Sequence, residues 1–572
     1  MFISMEKMEL LSPVGSLGML KAAVSSGADA VYLGMRKFNA REYATNFNKD
    51  YLKEAINICK SNNVKLYVTM NTLVKNSEIK EFLGHMKYAY EEGVDSVIIQ
   101  DPSFIEVIKQ SFPGLGVHMS TQTGILNSSH ANLFSSADRI NLARELDRAS
   151  IESIRKHFKK KIEMFVHGAL CACISGSCLF SSYMGGRSGN RGKCAQPCRK
   201  RYDNLFPLST KELCLIEKLP ELVKMGINSI KIEGRMRTPF YTANTTAVYR
   251  QAIDSYYAGK FEVTEEMKKR LEDSFSRGFT EGKFSGDVVF NPKNASGTSK
   301  VKEVTYEVTT RHVKLEKREA IPVGLSITEK PSSGKQLIVR VETEMDAAKA
   351  YRYADILAVD MFNDDLGNIR RKSRKPIYAV TPRIMLDSDI EMIKDRIKLI
   401  RPDGLIVGNI GVLNFGLKLP MILDYNANCF NDLQMNYYQK LGAKPMVSPE
   451  LSMDELVKFK NKDFVAFVHG KIRLMTLAHD LPERKMRDGK DYFYVDRIFG
   501  GVEVVGEKEL GLFNKTKVLV AAGINQFYVD AVPGKYFEDI VRTYWGILNG
   551  KTMDIAKIQS GSTTAWIERG VM

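Results

Sequence analysis

Short runs of β-branched and aliphatic residues alternate with amphipathic stretches over the first 260 residues. The runs ELLSPV (9–14), AVYLG (30–34), KLYVTM (65–70), SVIIQ (96–100), GVHMST (116–121), RINLA (139–143), EMFVHG (163–168) and SIKIEG (229–234) read as strands buried on both faces. Between them lie segments of helical period such as SLGMLKAAVSSG, DYLKEAINICKSNN and SEIKEFLGHMKYAYEEG. Several end in Gly or Asn, residues that accept the backbone of a helix C-terminus. Eight strands each followed by a helix is the pattern of a (β/α)8 barrel, with TANTTAVYRQAIDSYYAG as the closing helix. The pattern places a first barrel in residues 1–261.

Residues 262–320 interrupt the alternation. A charged helix, TEEMKKRLEDSFSRG, runs into the Gly/Ser/Asn-rich FSGDVVFNPKNASGTSK and then VKEVTYEVTTRHVKLEKR, whose alternation predicts a small, exposed, basic β segment. The βα pattern then restarts, with strands at 336–343, 355–360, 376–382, 404–409, 421–426, 444–450, 464–470 and 526–532. The seventh runs of the two halves, EMFVHG and VAFVHG, nearly coincide, which points to internal duplication. The expected fold is therefore α/β: two tandem (β/α)8 TIM-barrel-like domains joined by a short basic connector, with a second, cysteine-poor barrel in 321–572.

Composition adds that the chain is an ordinary globular one, 44% hydrophobic and 26% charged. No apolar run approaches the roughly 18 residues of a membrane span. The opening MFISMEKMELLSPVG carries charges inside its apolar stretch and does not read as a secretory signal, so the expected address is cytoplasmic, with no membrane partner. Lys and Arg number 83 against 67 Asp and Glu, a net charge of +16. Such an excess favours an anionic partner, nucleic acid foremost.

Six of the eight cysteines, Cys171, Cys173, Cys178, Cys194, Cys198 and Cys214, cluster between residues 171 and 214. Clustered thiols in a chain of this size point to a metal or cofactor more than to bridges. Five of them occupy the loop after the seventh strand, HGALCACISGSCLFSSYMGGRSGNRGKCAQPCRKRY (167–202), and barrel active sites are built from such loops. The spacing suits an iron–sulfur cluster, zinc, or thiols with no ligand. Cys173 is an extra thiol, and Cys214 sits in KELCLIEKL at apolar helical spacing, as core. The same loop carries Arg187, Arg191, Lys193, Arg199, Lys200 and Arg201 without an acid among them, a set that fits a cluster, a carboxylate substrate or RNA phosphates. Other strand ends offer Asn71, Gln100, His118, Ser120, Gln122, Arg144, His167, Glu233 and Arg235. Of these, His118, Arg144, His167, Glu233 and Arg235 are the catalytic candidates, though a lone His is commonly structural and Glu233–Arg235 could brace the barrel mouth. HExxH, G-x-S-x-G, a phosphate loop and G-x-G-x-x-G are all absent.

The stretch EMFVHGALCACISGSCLFSSYMGGRSGNRGKCAQPC resembles the signature of the collagenase-like peptidase family U32, as do the opening ELLSPVGSLGMLKAAVSSGADAVYLG and SIKIEGRMRTPFY. The resemblance covers about residues 8–285. VSPELS and FVHGKIRLM look like the C-terminal half of its longer members, particularly the ribosomal RNA cytidine hydroxylase group. Phe180 stands where the signature has an aliphatic residue, and the connector is shorter than the inserted domain of long members. The family name implies proteolysis, but members also include oxygen-independent hydroxylases of ribosomal RNA, of the tRNA wobble uridine and of quinone precursors. The resemblance thus implies a [4Fe–4S] cluster on Cys171, Cys178, Cys194 and Cys198, and prephenate as a small anionic cosubstrate. The alternative is a peptidase of unknown catalytic type. A quinone-precursor hydroxylase fits less well, since those enzymes are short and work as two-subunit complexes.

Overall fold

The computed structural model describes residues 7–300, 304–311, 313, 316–325, 327–559, 562–564, 567–568 and 570–572. They divide into two units: Met1–Val74, Glu78–Gly176 and Gly189–Gly324 form the first, and Lys75–Ser77, Ser177–Ser188 and Leu325–Met572 the second. Among the described residues, no helix is long and apolar enough to cross a membrane.

The first unit is a closed barrel. Its eight parallel strands are Glu9–Pro13, Ala30–Gly34, Lys65–Met70, Ser96–Ile99, Gly116–Met119, Arg139–Asn141, Lys161–Ala169 and Ser229–Ile232, paired in chain order. The eighth closes the ring by pairing with both the seventh and the first. Their near-continuous burial is what a sheet covered on both faces requires. The helices begin where the sequence supplies a cap: Ser16, Asn48, Asn127, Asp147 and Thr238 each accept a backbone N–H of the first turn.

Two readings of this unit change. KELCLIEKL is not one helix: Glu212–Cys214 is a short strand antiparallel to the seventh, and the helix Leu219–Lys224 starts only at Pro220's turn. Cys214 is thus held beside Tyr249, and burial pushes its thiol up to about 11. The basic β segment is also corrected. Residues 304–311, 313 and 316–320 hold neither helix nor strand. Instead they run along the barrel's outer helices: Ser61 Oγ donates to the Arg311 carbonyl, and Arg318 Nη1 to that of Val94. The strand of this region is Phe279–Thr280, after the helix Glu265–Ser274.

The second unit repeats the plan with strands Gln336–Arg340, Ile356–Asp360, Ile377–Val380, Gly404–Val407, Met421–Leu423, Ala443–Pro445, Ala466–Gly470 and Gln526–Asp530. The curled sheet is joined between its sixth and seventh strands by one bridge, Val465 N–H to Pro445 carbonyl and Val447 N–H to Val465 carbonyl. After the seventh strand comes an element outside the βα pattern, an antiparallel sheet of Arg473–Leu477, Lys485–Asp488, Asp491–Ile498 and Gly501–Gly506.

The duplication extends to fine structure. Both seventh strands are bulged within FVHG, at Phe165/His167 and Phe467/His469. In each, a tyrosine of the last barrel helix donates to the valine carbonyl in the bulge, Tyr249 to Val166 and Tyr544 to Val468, both at 2.9 Å. The following Gly168 (φ +99°) and Gly470 (φ +133°) have left-handed backbone, and a Cβ there would sit 2.6 Å and 2.4 Å from the carbonyls of Glu233 and Asp530.

Candidate active site

The carboxyl ends of the first unit's strands gather a guanidinium-rich mouth around one carboxylate. Glu233, just past the eighth strand, accepts from Arg41 Nε and Nη2 at 3.1 and 2.7 Å. Burial alone would raise its carboxyl, but Arg41, Arg237 and Arg144 outweigh burial and hold it below the ordinary glutamate value. It is therefore ionised at neutral pH. Glu233 in turn raises Arg41, and Cys171 acts on Arg41 in the same direction.

Arg235 lies deeper and is held by neutral oxygens: Nη1 donates to Thr69 Oγ1 and Nη2 to Asn39 Oδ1, each at 3.0 Å, and Nη2 also reaches Asn46 Oδ1. Burial lowers it to about 10, which leaves it charged. Arg144, past the sixth strand, donates to the Ala169 carbonyl at 3.0 Å and to Ser175 Oγ at 2.6 Å, so it fixes the start of the cysteine loop. Burial would lower the guanidinium, and the Cys171 thiol and Glu145 outweigh that effect. The loop is pinned again at Gly176 (φ +87°), where a Cβ would fall 1.9 Å from the Gln122 carbonyl.

The two histidines lie elsewhere. His167 is buried in an aromatic layer with Tyr241, Tyr249 and Phe279, its Nδ1 3.5 Å from the Tyr249 hydroxyl, and burial drives it down to about 3. His469 of the second unit packs the same way on Tyr544, at 3.2 Å, where no cysteine loop follows. This recurrence marks His167 as part of the bulge's packing. His118 is buried edge-on to Tyr67, and burial together with Arg139 pushes it well below the ordinary imidazole value.

The basic loop also reads differently in three dimensions. Arg191 makes a two-pronged pair with Glu78, at 2.9 and 2.6 Å, and donates to the Leu73 carbonyl. Lys193 lies 3.7 Å from Glu42. Arg199 is spread over Ser209 and Thr210. These three charges tie the loop to the barrel through groups outside it: the carboxylates of Glu78 and Glu42 and the hydroxyls of Ser209 and Thr210. Lys200 and Arg201 are exposed, Arg201 donating to Asn204. Arg187 and Cys178 belong to Ser177–Ser188, grouped with the second unit.

Cys171 is exposed, Cys178, Cys194 and Cys198 are half-buried, and Cys173 is buried. Cys194 Sγ accepts the Gln196 N–H at 3.3 Å, and Arg277 faces Cys198. Among the described residues, no three His, Cys, Asp or Glu side chains are gathered so as to hold a metal ion.

Sequence reading missed Arg41 and Arg237, which lie two or more residues beyond a strand end, and Glu145. Glu145 is buried with neither carboxyl oxygen in a hydrogen bond, and burial pushes it up to about 7 against the Arg144 charge and nearby backbone amides. The folded chain then holds a proton between pH 4.5 and about 7 that the unfolded chain has lost, so stability falls as pH rises through that window. Glu145→Gln should remove this slope and gain on the order of 3 kcal/mol at pH 8 with little change at pH 4. Thermal midpoints across pH test it; wild type and variant tracking each other throughout would refute it.

Known proteins match about half of this chain. The profile of peptidase family U32 matches residues 15–290. An uncharacterized protease of Methanocaldococcus jannaschii is 38% identical over 306 residues, 50% of this chain and 74% of its own. The tRNA hydroxylation protein P1 of Bacillus subtilis is 35% identical over 49% of this chain and 72% of its own. The 23S rRNA 5-hydroxycytidine C2501 synthase of Escherichia coli is 34% identical over 48% of this chain and 44% of its own. On the motifs, the barrel and these matches, the chain belongs to peptidase family U32.

Proposed function

We propose that this chain is an oxygen-independent RNA hydroxylase that works with a small anionic cosubstrate at the mouth of its first barrel. One observation carries the reading: Arg41, Arg144, Arg235 and Arg237 converge on a mouth around Glu233, with the buried Glu212 3.6 Å from Arg237 as a second carboxylate at its side. Arg144 and Arg235 are held by neutral oxygens, so their charge is left to attract an anion. A dicarboxylate such as prephenate, or RNA phosphate, has the matching chemistry. Relatives named for tRNA hydroxylation and for rRNA hydroxycytidine synthesis supply the reaction class. Arg144 orients the cysteine loop, Arg41 holds Glu233 ionised, and Glu233 is the group that accepts a proton from the bound substrate.

Cys171, Cys178, Cys194 and Cys198 would hold a [4Fe–4S] cluster, which supplies one-electron redox chemistry when bound. The donor chemistry fits: these four thiols are reached by solvent, and Arg41 and Arg144 beside Cys171, with Arg277 beside Cys198, offset an anionic group. A bare zinc ion needs its donors drawn tightly round one centre, whereas a cluster spreads four thiolates over four irons. Zinc is accordingly the less suited of the two.

The peptidase reading draws on the name of the archaeal relative. His118 and His167 do not serve it as a base, since burial depresses both far below the ordinary imidazole value, which makes them poor proton acceptors, and both rings are fixed in aromatic packing. Mass spectrometry of RNA nucleosides from wild-type and deletion strains separates the readings. The expected result is loss of one nucleoside an oxygen atom heavier than its parent, restored by the intact gene and not by Glu233→Gln. Identical nucleosides in both strains, with gelatin cleaved by iron-free protein, would overturn it.

A further inference from the structure

The second unit, which lacks the cysteine loop, has a cavity of about 530 Å³ at the carboxyl ends of its strands, beside the antiparallel sheet. That volume is in the range of pockets that take a nucleotide-sized ligand. Its inner wall is already neutralised. Arg383 donates to both Asp424 oxygens at 2.8–3.1 Å and lies 3.3 Å from Glu503. Arg473 pairs with Glu503 at 3.0 Å and Asp530 at 2.8 Å.

Arg340 differs. Its nearest carboxylates, Asp530 and Asp360, stand at 3.7 and 3.8 Å, beyond hydrogen-bond length, and it is 19% exposed to the cavity side. Asp360 has one oxygen on the Phe362 N–H, and its other faces Arg340 across that gap. A donor fork and an acceptor therefore stand side by side, each with unspent capacity. Two half-buried rings, Phe362 and Phe499, line the same cavity, stacked with centroids 4.9 Å apart and planes 12° apart. Arg497, 75% exposed and 3.4 Å from Asp480, stands at the rim.

We infer that this cavity binds one unstacked nucleotide of the RNA substrate, its base against the Phe362–Phe499 pair and its polar edge on Arg340 and Asp360. The inference rests on the RNA reading above and adds a second binding site to it. Every nucleobase presents a flat face for stacking and an edge with donor and acceptor together, and unpaired RNA is recognised through those two features. A wall whose charges cancel, with one guanidinium that faces its carboxylates without hydrogen-bonding them and one half-used carboxylate, suits a base better than a bare phosphate. Arg497 at the rim is placed for the phosphate that the nucleotide carries.

The test uses the full chain, purified anaerobically, and a single-stranded RNA oligomer carrying 4-thiouridine. Photocrosslinking with peptide mass spectrometry should place the base on the peptides of Phe362 or Phe499. Phe499→Ala, at a half-exposed ring next to the Gly500–Gly501 turn, should weaken oligomer binding about tenfold and abolish that crosslink; Arg340→Gln should weaken it as well. Crosslinks confined to the first unit, with unchanged affinity in both variants, would overturn the site and leave the RNA reading standing. Failure of any oligomer to bind would overturn both. Protection of the Phe499 peptide by cytidine monophosphate but not by the oligomer would overturn the RNA assignment in favour of a free nucleotide.

Discussion

Replacing Arg139 with methionine is expected to weaken the first barrel by about 3–5 kcal/mol, the cost of leaving buried charge unmatched. Arg139 opens the sixth strand at the amino end of the barrel, where Nη1 donates to Glu9 Oε1 at 2.5 Å and Glu163 Oε2 at 3.1 Å, and Nη2 to Glu9 Oε2 at 3.3 Å. Lys231 donates to the other Glu163 oxygen at 2.8 Å, and Tyr67 and Ser229 complete the shell of Glu9. Glu163 is 1% exposed, so without Arg139 it is left with Lys231 as its ion-pair partner, and Glu9 with Lys65 at 3.7 Å. The pH dependence adds a second readout. Burial raises Glu9, but Arg139, Tyr67 and Lys65 outweigh burial and set it below the ordinary value of 4.5. Its stabilisation is thus complete above that value and is lost as pH falls through the lowered folded pKa; in the variant burial acts unopposed by Arg139 and this acid slope shrinks or reverses. Hydrogen exchange of the strand amides reads the first unit by itself. A change under about 1 kcal/mol at pH 7 would refute the account.

The parallel strands were legible because burial on both faces writes them as continuous apolar runs: each of the sixteen predicted barrel strands has its counterpart, while the alternating basic segment after residue 300 does not. The antiparallel sheet was not recognised, although its turns are written plainly. Asp488-Gly489 and Gly500-Gly501 join alternating runs, and both Gly489 and Gly500 have positive φ. A search tuned to βα alternation passes over such hairpins. The histidines show a different limit. Alternation says which face of a strand a residue takes, but the bulge between Phe165 and His167 shifts the count, so the orientation of His167 cannot be reached by counting. The basic loop shows a third. Arg191 meets Glu78 across 113 positions, and Arg41 meets Glu233 across 192. Local sequence therefore showed the loop's charge but not its partners, and overstated how much of that charge is left for a ligand.

Cys198→Ala is expected to remove the iron and acid-labile sulfide of anaerobically prepared protein, with its visible absorption, while Cys173→Ala keeps both. The two thiols lie in the same loop, but their settings differ. Cys198 is half-buried beside Arg277, on the short turn Pro197–Arg199, where Arg199 is tied to Ser209 and Thr210. Cys173 is buried, 2% exposed. A cluster needs room for its inorganic core beside each sulfur and positive charge to offset its own, and the half-buried Cys198 beside Arg277 offers both where the enclosed Cys173 lacks the room. Removing one of four thiolates leaves one iron without its protein ligand, so the expected effect is on cluster content and not on folding, which unchanged hydrogen exchange of the barrel strands would verify. Iron retained in full by Cys198→Ala, or lost from Cys173→Ala with the barrel intact, would mean that a different set of sulfurs holds the cluster and that the mouth of the first barrel must be assigned again.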